Sequence, residues 1–308
     1  MWMRMHRSCC RTTRRILAMA DGYGHLTPEA HDTARLPDVE RIAWMRRRWF
    51  MEYPRCRQVL DLMEEQLAGA GAVAAPNLLV WGDPGQGKTT ILHRHLRQHP
   101  IVADLAAGIR RTPVVAVEMP PVCDVRWFYE ALLAAIGTPP AATRSPVPRL
   151  ADRVIQLYRM IGVRQILVDE AHNMLLGSVR QQRTMLAVIR HLSNTLQVPL
   201  ALFGTRDARE ALFHDRQLAR RFRSVELPCW DPGPEFDTLV GSVLRWLPLR
   251  RPSVMTVRAV KALATHGDGV AATVFGTLAE LGIHAIRSGE ERITAADVLQ
   301  HCQAPAPS

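Results

Sequence analysis

Apolar residues keep two rhythms in the middle of this chain and only one towards its end. The runs Leu78-Leu79-Val80, Val114-Val115-Ala116-Val117, Ile166-Leu167-Val168 and Leu200-Ala201-Leu202-Phe203 are short, unbroken and bounded by polar or turn residues. That is the signature of strands buried on both faces. Between them, residues 91–96, 125–136, 150–161 and 181–196 place apolar side chains at helical spacing, with Gly137 stopping the second and a Pro/Ala/Ser/Thr loop at 139–148 preceding the third. Strands alternating with helices predict an α/β fold with a parallel sheet covered on both faces. Ahead of it, residues 36–50 and 55–67 read as amphipathic helices separated by Tyr53-Pro54. From Asp231 onward the strand rhythm stops, and residues 236–245, 254–265, 270–287 and 294–300 predict an all-helical lid. The expected division is a basic leader over 1–18, an N-terminal helical adaptor over 19–72, an αβα sandwich over 73–230, the lid over 231–303 and a frayed tail over 304–308.

The first strand runs into Gly82-Asp83-Pro84-Gly85-Gln86-Gly87-Lys88-Thr89, followed by Thr90 and a helix. This spells G-x-x-x-x-G-K-[ST] in the order strand, phosphate loop, helix. Glycines let backbone N–H groups converge on an anion and the helix N-terminus adds its dipole. Lys88 is expected to reach the β/γ-phosphates of ATP, and Thr89 to offer its hydroxyl to Mg²⁺. Of 39 basic residues only Lys88 and Lys261 are lysines, so an arginine-rich chain keeps lysine where a compact ammonium is needed.

A partner motif lies downstream. Gln165-Ile166-Leu167-Val168 ends in Asp169-Glu170, a Walker B pattern in which Asp169 holds Mg²⁺ and Glu170 polarises the attacking water. The next strand closes on Gly204-Thr205, placing a hydroxyl at the edge where open parallel sheets bind ligands. The two motifs together predict a P-loop NTPase.

Composition adds a partner class. A formal net charge of +10 favours an acidic polymer, DNA or RNA before membrane. Six cysteines without C-x-x-C spacing suggest neither a zinc ribbon nor a disulfide framework, so a reduced, cytoplasmic protein is expected. His93, His95 and His99 are read as a solvated helix face, with no metal site beyond nucleotide-bound Mg²⁺. The apolar stretch 66–82 is interrupted by Pro76 and Asn77 and is too short to span a bilayer. Residues 1–18, rich in arginine and poor in core-forming side chains, are expected to be disordered, either a start placed upstream of Met19 or a basic arm adding phosphate contacts.

Over roughly residues 19–300 the chain resembles the TniB/TnsC-type regulators of DNA transposition, within the AAA+ class of ATPases. The stretches that carry the resemblance, in order, begin with the phosphate loop preceded by Val80-Trp81, then Glu118-Met119-Pro120-Pro121 and Val168-Asp169-Glu170-Ala171-His172-Asn173-Met174-Leu175. They continue with Phe203-Gly204-Thr205-Arg206-Asp207-Ala208, Asp215-Arg216-Gln217-Leu218-Ala219-Arg220-Arg221-Phe222, Leu227-Pro228-Cys229-Trp230 and Leu247-Pro248-Leu249-Arg250-Arg251-Pro252-Ser253. The resemblance implies an AAA+ P-loop sandwich that uses ATP to oligomerise on double-stranded DNA without sequence preference, as a ring or a helical filament. It also implies partnership with a DDE transposase and a TniQ-like adaptor. By position it makes Thr205 the sensor-1 residue and Arg221, or alternatively Arg220, an arginine finger completing a neighbour's site. One departure stands out, because Gly267-Asp268-Gly269-Val270-Ala271-Ala272 supplies no sensor-2 arginine, which suits slow turnover. Arg110, Arg111 and Arg126 are candidates for DNA phosphate contact. The competing reading is a signalling or replication-type AAA+ switch acting on a protein partner.

Overall fold

The structure, a computed structural model, describes residues 22–47, 50–71, 76–104, 109–139, 145–214 and 219–303. The expectations for the leader, the tail and residues 215–218 lie outside the described residues. The chain divides into two compact units, one of residues 52–228 and one joining the residues up to 51 with those from 229 onward.

The first unit is built on a five-stranded parallel sheet in the order β4-β5-β6-β1-β7, with β1 Asn77–Trp81, β4 Val114–Glu118, β5 Gln165–Asp169, β6 Leu200–Gly204 and β7 Phe222–Glu226. Every residue of β1 and β6 is buried, as unbroken aliphatic runs require of central parallel strands. β7 is an edge strand with a mixed pattern, Phe222 and Val225 buried, Ser224 half-buried, and Arg223 and Glu226 exposed. Its short, half-polar pattern escaped the reading above, which assigned no strand after residue 203.

Helices α3 Pro54–Ala68, α4 Lys88–Gln98, α5 Val125–Ala135, α6 Val147–Met160, α7 Val179–Leu196 and α8 Arg206–His214 belong to this unit. Leu79, Val117, Phe128, Leu132, Val154, Tyr158, Leu167-flanking Ile166 and Val168, Ile189 and Leu202 supply its core. An antiparallel hairpin, β2 Val102–Asp104 and β3 Ile109–Arg111, precedes β4, so the strand read as second in the chain is the fourth. β5 ends in Asp169, separated from β1 by β6, which opens a crevice at the carboxyl ends of the strands.

In the second unit, α1 Pro28–Ala34 and α2 Asp38–Met45 join α9 Pro234–Trp246, α10 Val257–His266, α11 Ala271–Arg287 and α12 Ala295–Gln303. Trp44 stacks on Trp246 with ring centroids 3.8 Å apart, and Thr27 N donates to the Arg245 carbonyl at 2.8 Å. The stretch expected to form one adaptor is therefore divided: α1 and α2 bury their apolar faces with the C-terminal helices, whereas α3 packs in the sheet unit. A second correction concerns the histidines. His95 is fully buried rather than solvated, hydrogen-bonded to Gln165 across the interior.

Candidate nucleotide site

The crevice at the carboxyl ends of β1, β5 and β6 collects the chemistry. After Trp81 the chain turns through Gly82, where a Cβ would stand 2.3 Å from the Leu227 carbonyl oxygen, so only glycine lets β1 and the exit of β7 approach this closely. Gly87 takes φ 87°, a left-handed conformation open to glycine, and delivers the chain into the N-terminus of α4. Asp83, Pro84 and Gly85 form an exposed rim, Gln86 is buried, and Thr90 is half-buried in the first turn of α4.

Lys88 folds back under the loop, and its Nζ donates to the Gly82 carbonyl at 2.7 Å and the Asp83 carbonyl at 2.9 Å. Among the described residues no carboxylate lies within ion-pair distance of it. Burial pushes its pKa below the usual lysine value, opposed by the fields of Glu170, Asp169 and Asp83. A buried ammonium whose hydrogen bonds go only to carbonyl oxygens, with the nearby carboxylates out of contact, suits an incoming anion.

Thr89 Oγ1 donates to Asp169 Oδ2 at 2.7 Å, so the two residues expected to share Mg²⁺ are in contact although they lie on different elements. A hydroxyl and a carboxylate oxygen are the hard oxygen donors that Mg²⁺ takes, and the pair fits that ion. Glu170 follows with φ 51° and ψ 37°, a left-handed conformation uncommon for a residue with a Cβ. Such conformations cost about 1–3 kcal/mol and cluster at functional sites. The turn is held by Glu170 N donating to Asp169 Oδ1 at 2.9 Å and by the short 3₁₀ turn Ala171–Leu175 beyond it.

His172 Nδ1 lies 3.1 Å from Glu170 Oε2, and Asn173 Nδ2 donates to the Met119 carbonyl at 3.0 Å, tying this turn to the end of β4. Neither role was assigned from sequence. The spacing of His172 two residues after Glu170 was visible there, but not its orientation. Thr205 closes β6, and its Oγ1 is buried without a hydrogen-bond partner among the described residues. A buried, unpaired hydroxyl at the carboxyl end of β6 calls for an explanation that the fold itself does not supply.

Arg221 sits elsewhere. Its carbonyl accepts from Asn77 N, which places it at the amino-terminal edge of the sheet, opposite the phosphate loop, and its guanidinium donates to Asn194 Oδ1 on α7. Arg220 beside it is exposed. Arg110 and Arg111 are exposed on β3, whereas Arg126 is engaged by the Ser145 carbonyl and lies 3.5 Å from Glu130. No helix among the described residues is long and apolar enough to cross a membrane.

The family model for TniB, described as "Bacterial TniB protein", matches residues 41–232, which include every residue of the crevice. No curated protein matches the chain. Among solved structures, the Aeropyrum pernix ORC2 protein in ADPNP and ADP complexes is similar with a TM-score of 0.59 at 15% identity, over 87% of this chain and 72% of that one. The Aeropyrum pernix ORC1 protein in complex with DNA gives 0.54 at 19%, over 80% and 63%. Cdc6p from Pyrobaculum aerophilum gives 0.56 at 14%, over 84% and 68%. At such identities the likeness is one of fold, a parallel sheet with helices around it.

Proposed function

Because this chain belongs to the TniB family, we propose that it is an ATP-dependent, DNA-binding AAA+ transposition protein that oligomerises on target duplex DNA and recruits or activates a DDE transposase. Hydrolysis of ATP then controls disassembly. The observation that carries this reading is the convergence of Lys88, Thr89, Asp169 and Glu170 on one crevice inside the family match.

Lys88 gives up its two carbonyl contacts to bind the β/γ-phosphate oxygens, an exchange favoured because the ammonium is already desolvated. Mg²⁺, held by Thr89 and Asp169, supplies charge neutralisation at the phosphates when bound. Glu170 accepts a hydrogen bond from the attacking water and takes its proton as the bond to the γ-phosphorus forms and the bond from that phosphorus to the β,γ-bridging oxygen breaks, releasing ADP; His172 Nδ1 stands 3.1 Å from the carboxylate. Thr205 donates from the end of β6 to the γ-phosphate or the water. Arg221 or Arg220 acts in trans on a neighbour's γ-phosphate, which suits a position at the opposite edge of the sheet from its own phosphate loop. For Arg221 this requires exchanging the Asn194 contact for the neighbour.

The +10 charge supports a duplex as partner, with exposed Arg110 and Arg111 on the hairpin as phosphate contacts. Arg126 is a weaker candidate, its guanidinium being occupied internally. A TniQ-like adaptor and the transposase complete the assembly. The test is sedimentation on random-sequence duplex: wild type should bind only with ATP, lose affinity steeply with salt, and dissociate as ATP is consumed, while Glu170→Gln should stay bound. ATP-independent or salt-insensitive behaviour would instead favour a switch acting on a protein partner.

A further inference from the structure

Glu64 on α3, His95 on α4 and His99 at the C-cap of α4 bring three ligating atoms within 4.8 Å of one another, in the sheet unit and on different residues from those of the phosphate loop. His95 Nδ1 is 3.3 Å from Glu64 Oε1, His99 Nε2 is 2.7 Å from the same oxygen, and the two imidazole centroids are 4.7 Å apart.

The hydrogen-bond network decides which His95 nitrogen carries the proton. The Gln165 side-chain amide N donates to the Met63 carbonyl at 3.1 Å and to Gln66 Oε1 at 2.9 Å, both acceptors, so its Oε1 is the atom that faces His95 at 2.7 Å. Turning the amide over would set oxygen against two oxygens in a fully buried place. His95 Nε2 therefore carries the hydrogen and donates it to Gln165. That leaves Nδ1 as a bare lone pair, buried and, among the described residues, without a hydrogen-bond partner, 3.3 Å from Glu64 Oε1. Two lone pairs at 3.3 Å repel unless a cation lies between them. A neutral imidazole with one ring nitrogen free is the form that ligates metals.

We propose that Glu64, His95 and His99 form a transition-metal site, with Zn²⁺ as the fitting ion, that clamps α3 to the helix carrying the phosphate loop. Two imidazoles and a carboxylate are a borderline-soft donor set that suits Zn²⁺ and not Mg²⁺. Ligands of a tetrahedral zinc stand about 3.4 Å apart, given metal–ligand bonds of about 2.0–2.1 Å. The His95–Glu64 separation already meets that spacing, and the His99–Glu64 pair has to open by about 0.7 Å, which the exposed Glu64 side chain allows. Gln165 supplies what a ligating histidine usually has behind it, an amide oxygen accepting the other ring N–H and fixing the ring. Glu64 is 47% exposed, so water can reach the fourth position. Gln165 opens β5 and Asp169 ends it, so the clamp joins the far end of the phosphate-loop helix to the start of the Walker B strand.

The test is titration of the untagged full chain with Co²⁺ and Zn²⁺, without nucleotide and with excess Mg²⁺ present. Wild type should show the visible d–d absorption of tetrahedral Co²⁺, displaced by one equivalent of Zn²⁺, and Zn²⁺ should raise its melting temperature. Glu64→Gln and His99→Gln should each weaken binding by more than the about 10–100-fold that loss of an outer-shell partner costs, while His93→Gln on the same helix should bind as wild type. Because Glu64 and His99 reach the surface, these variants keep the fold even if His95→Gln does not. Absence of micromolar Co²⁺ or Zn²⁺ binding by wild type, unaltered affinity in both variants, or a thiolate charge-transfer band pointing to cysteine ligands would each overturn the proposal.

Discussion

Lys88 in the sheet unit and Arg41 in the helical unit are both cut off from water, at 9% and 0% exposure, yet their surroundings differ in kind. Arg41 is bound by carboxylates: its guanidinium donates to Glu291 Oε1 at 2.6 Å and Oε2 at 2.7 Å, to Asp38 Oδ1 at 2.8 Å and to the Pro248 carbonyl at 3.1 Å. Burial alone would lower its pKa, but the bonds to Glu291 and Asp38 outweigh that and hold it above the usual arginine value. Lys88 has two carbonyls and no carboxylate in contact, and its pKa falls. A buried charge in contact with carboxylates of the fold holds elements together, whereas one in contact only with carbonyls is free to exchange them, as the proposed nucleotide role requires. The residue types follow: a bidentate fork suits a fixed carboxylate, and a flexible ammonium suits a partner that comes and goes.

Breaking the Arg41 cluster should give the largest change in stability. Glu291→Ala leaves a buried guanidinium with only the half-exposed Asp38 as counter-charge, and should cost the helical unit about 3–5 kcal/mol in urea unfolding. A loss below about 1 kcal/mol would mean that Arg41 finds water or another partner, and the contrast with Lys88 would fail.

Lys88→Ala should behave in the opposite way. Nucleotide affinity, measured by equilibrium dialysis with a labelled ATP analogue, should fall about 100-fold or more, equivalent to about 2.7 kcal/mol, while the melting temperature of the ligand-free protein is kept or raised. Strong destabilisation of the ligand-free protein would show that Lys88 is structural.

The two clusters should also part in their pH response. Burial raises the Glu291 carboxyl, but Arg41 and the Arg250 backbone N–H outweigh that and bring its pKa below 4.5. Its contribution to stability is therefore complete above the unfolded-state value and lost as pH falls through the lower folded one. Between about pH 5 and 3, Glu291→Gln should flatten the acid limb of a melting-temperature profile, whereas Lys88→Ala should leave that limb unchanged. An acid limb unaltered by Glu291→Gln would remove Glu291 as its source.

The smallest effect is expected at Thr205. Thr205→Val removes a hydroxyl with no partner among the described residues, so ligand-free stability should hold or rise by up to about 1 kcal/mol while the ATPase rate drops. A clear loss of stability would mean that the hydroxyl already has a partner in the ligand-free protein.

Much of the sheet unit was legible in the chain because its signals are local. A central parallel strand must be apolar on both faces, and β1, β5 and β6 announce themselves by that alone. The phosphate loop is legible for a similar reason, since glycine is demanded by backbone geometry at Gly82 and Gly87. β7 was not legible, being an edge strand of five residues with a half-polar pattern, nor was the hairpin β2–β3, whose strands have three residues each. The histidines show the limit most clearly. A face of His95 and His99 at i,i+4 looks solvated until α3 and β5 are laid against it.

The sequence by itself determined the parallel sheet, the phosphate loop and Walker B pair, and the family likeness, because each rests on residues adjacent along the chain or on a fixed helical or strand period. Only the tertiary structure decided that α1 and α2 pack with the C-terminal helices while α3 stays in the sheet unit, that Arg126 is occupied, and that Glu64, Gln165 and His95 meet. Those outcomes depend on which amphipathic face covers which neighbour and which polar atoms are thereby shut away from water. Sequence spacing leaves that choice open, and packing with full hydrogen-bond accounting makes it.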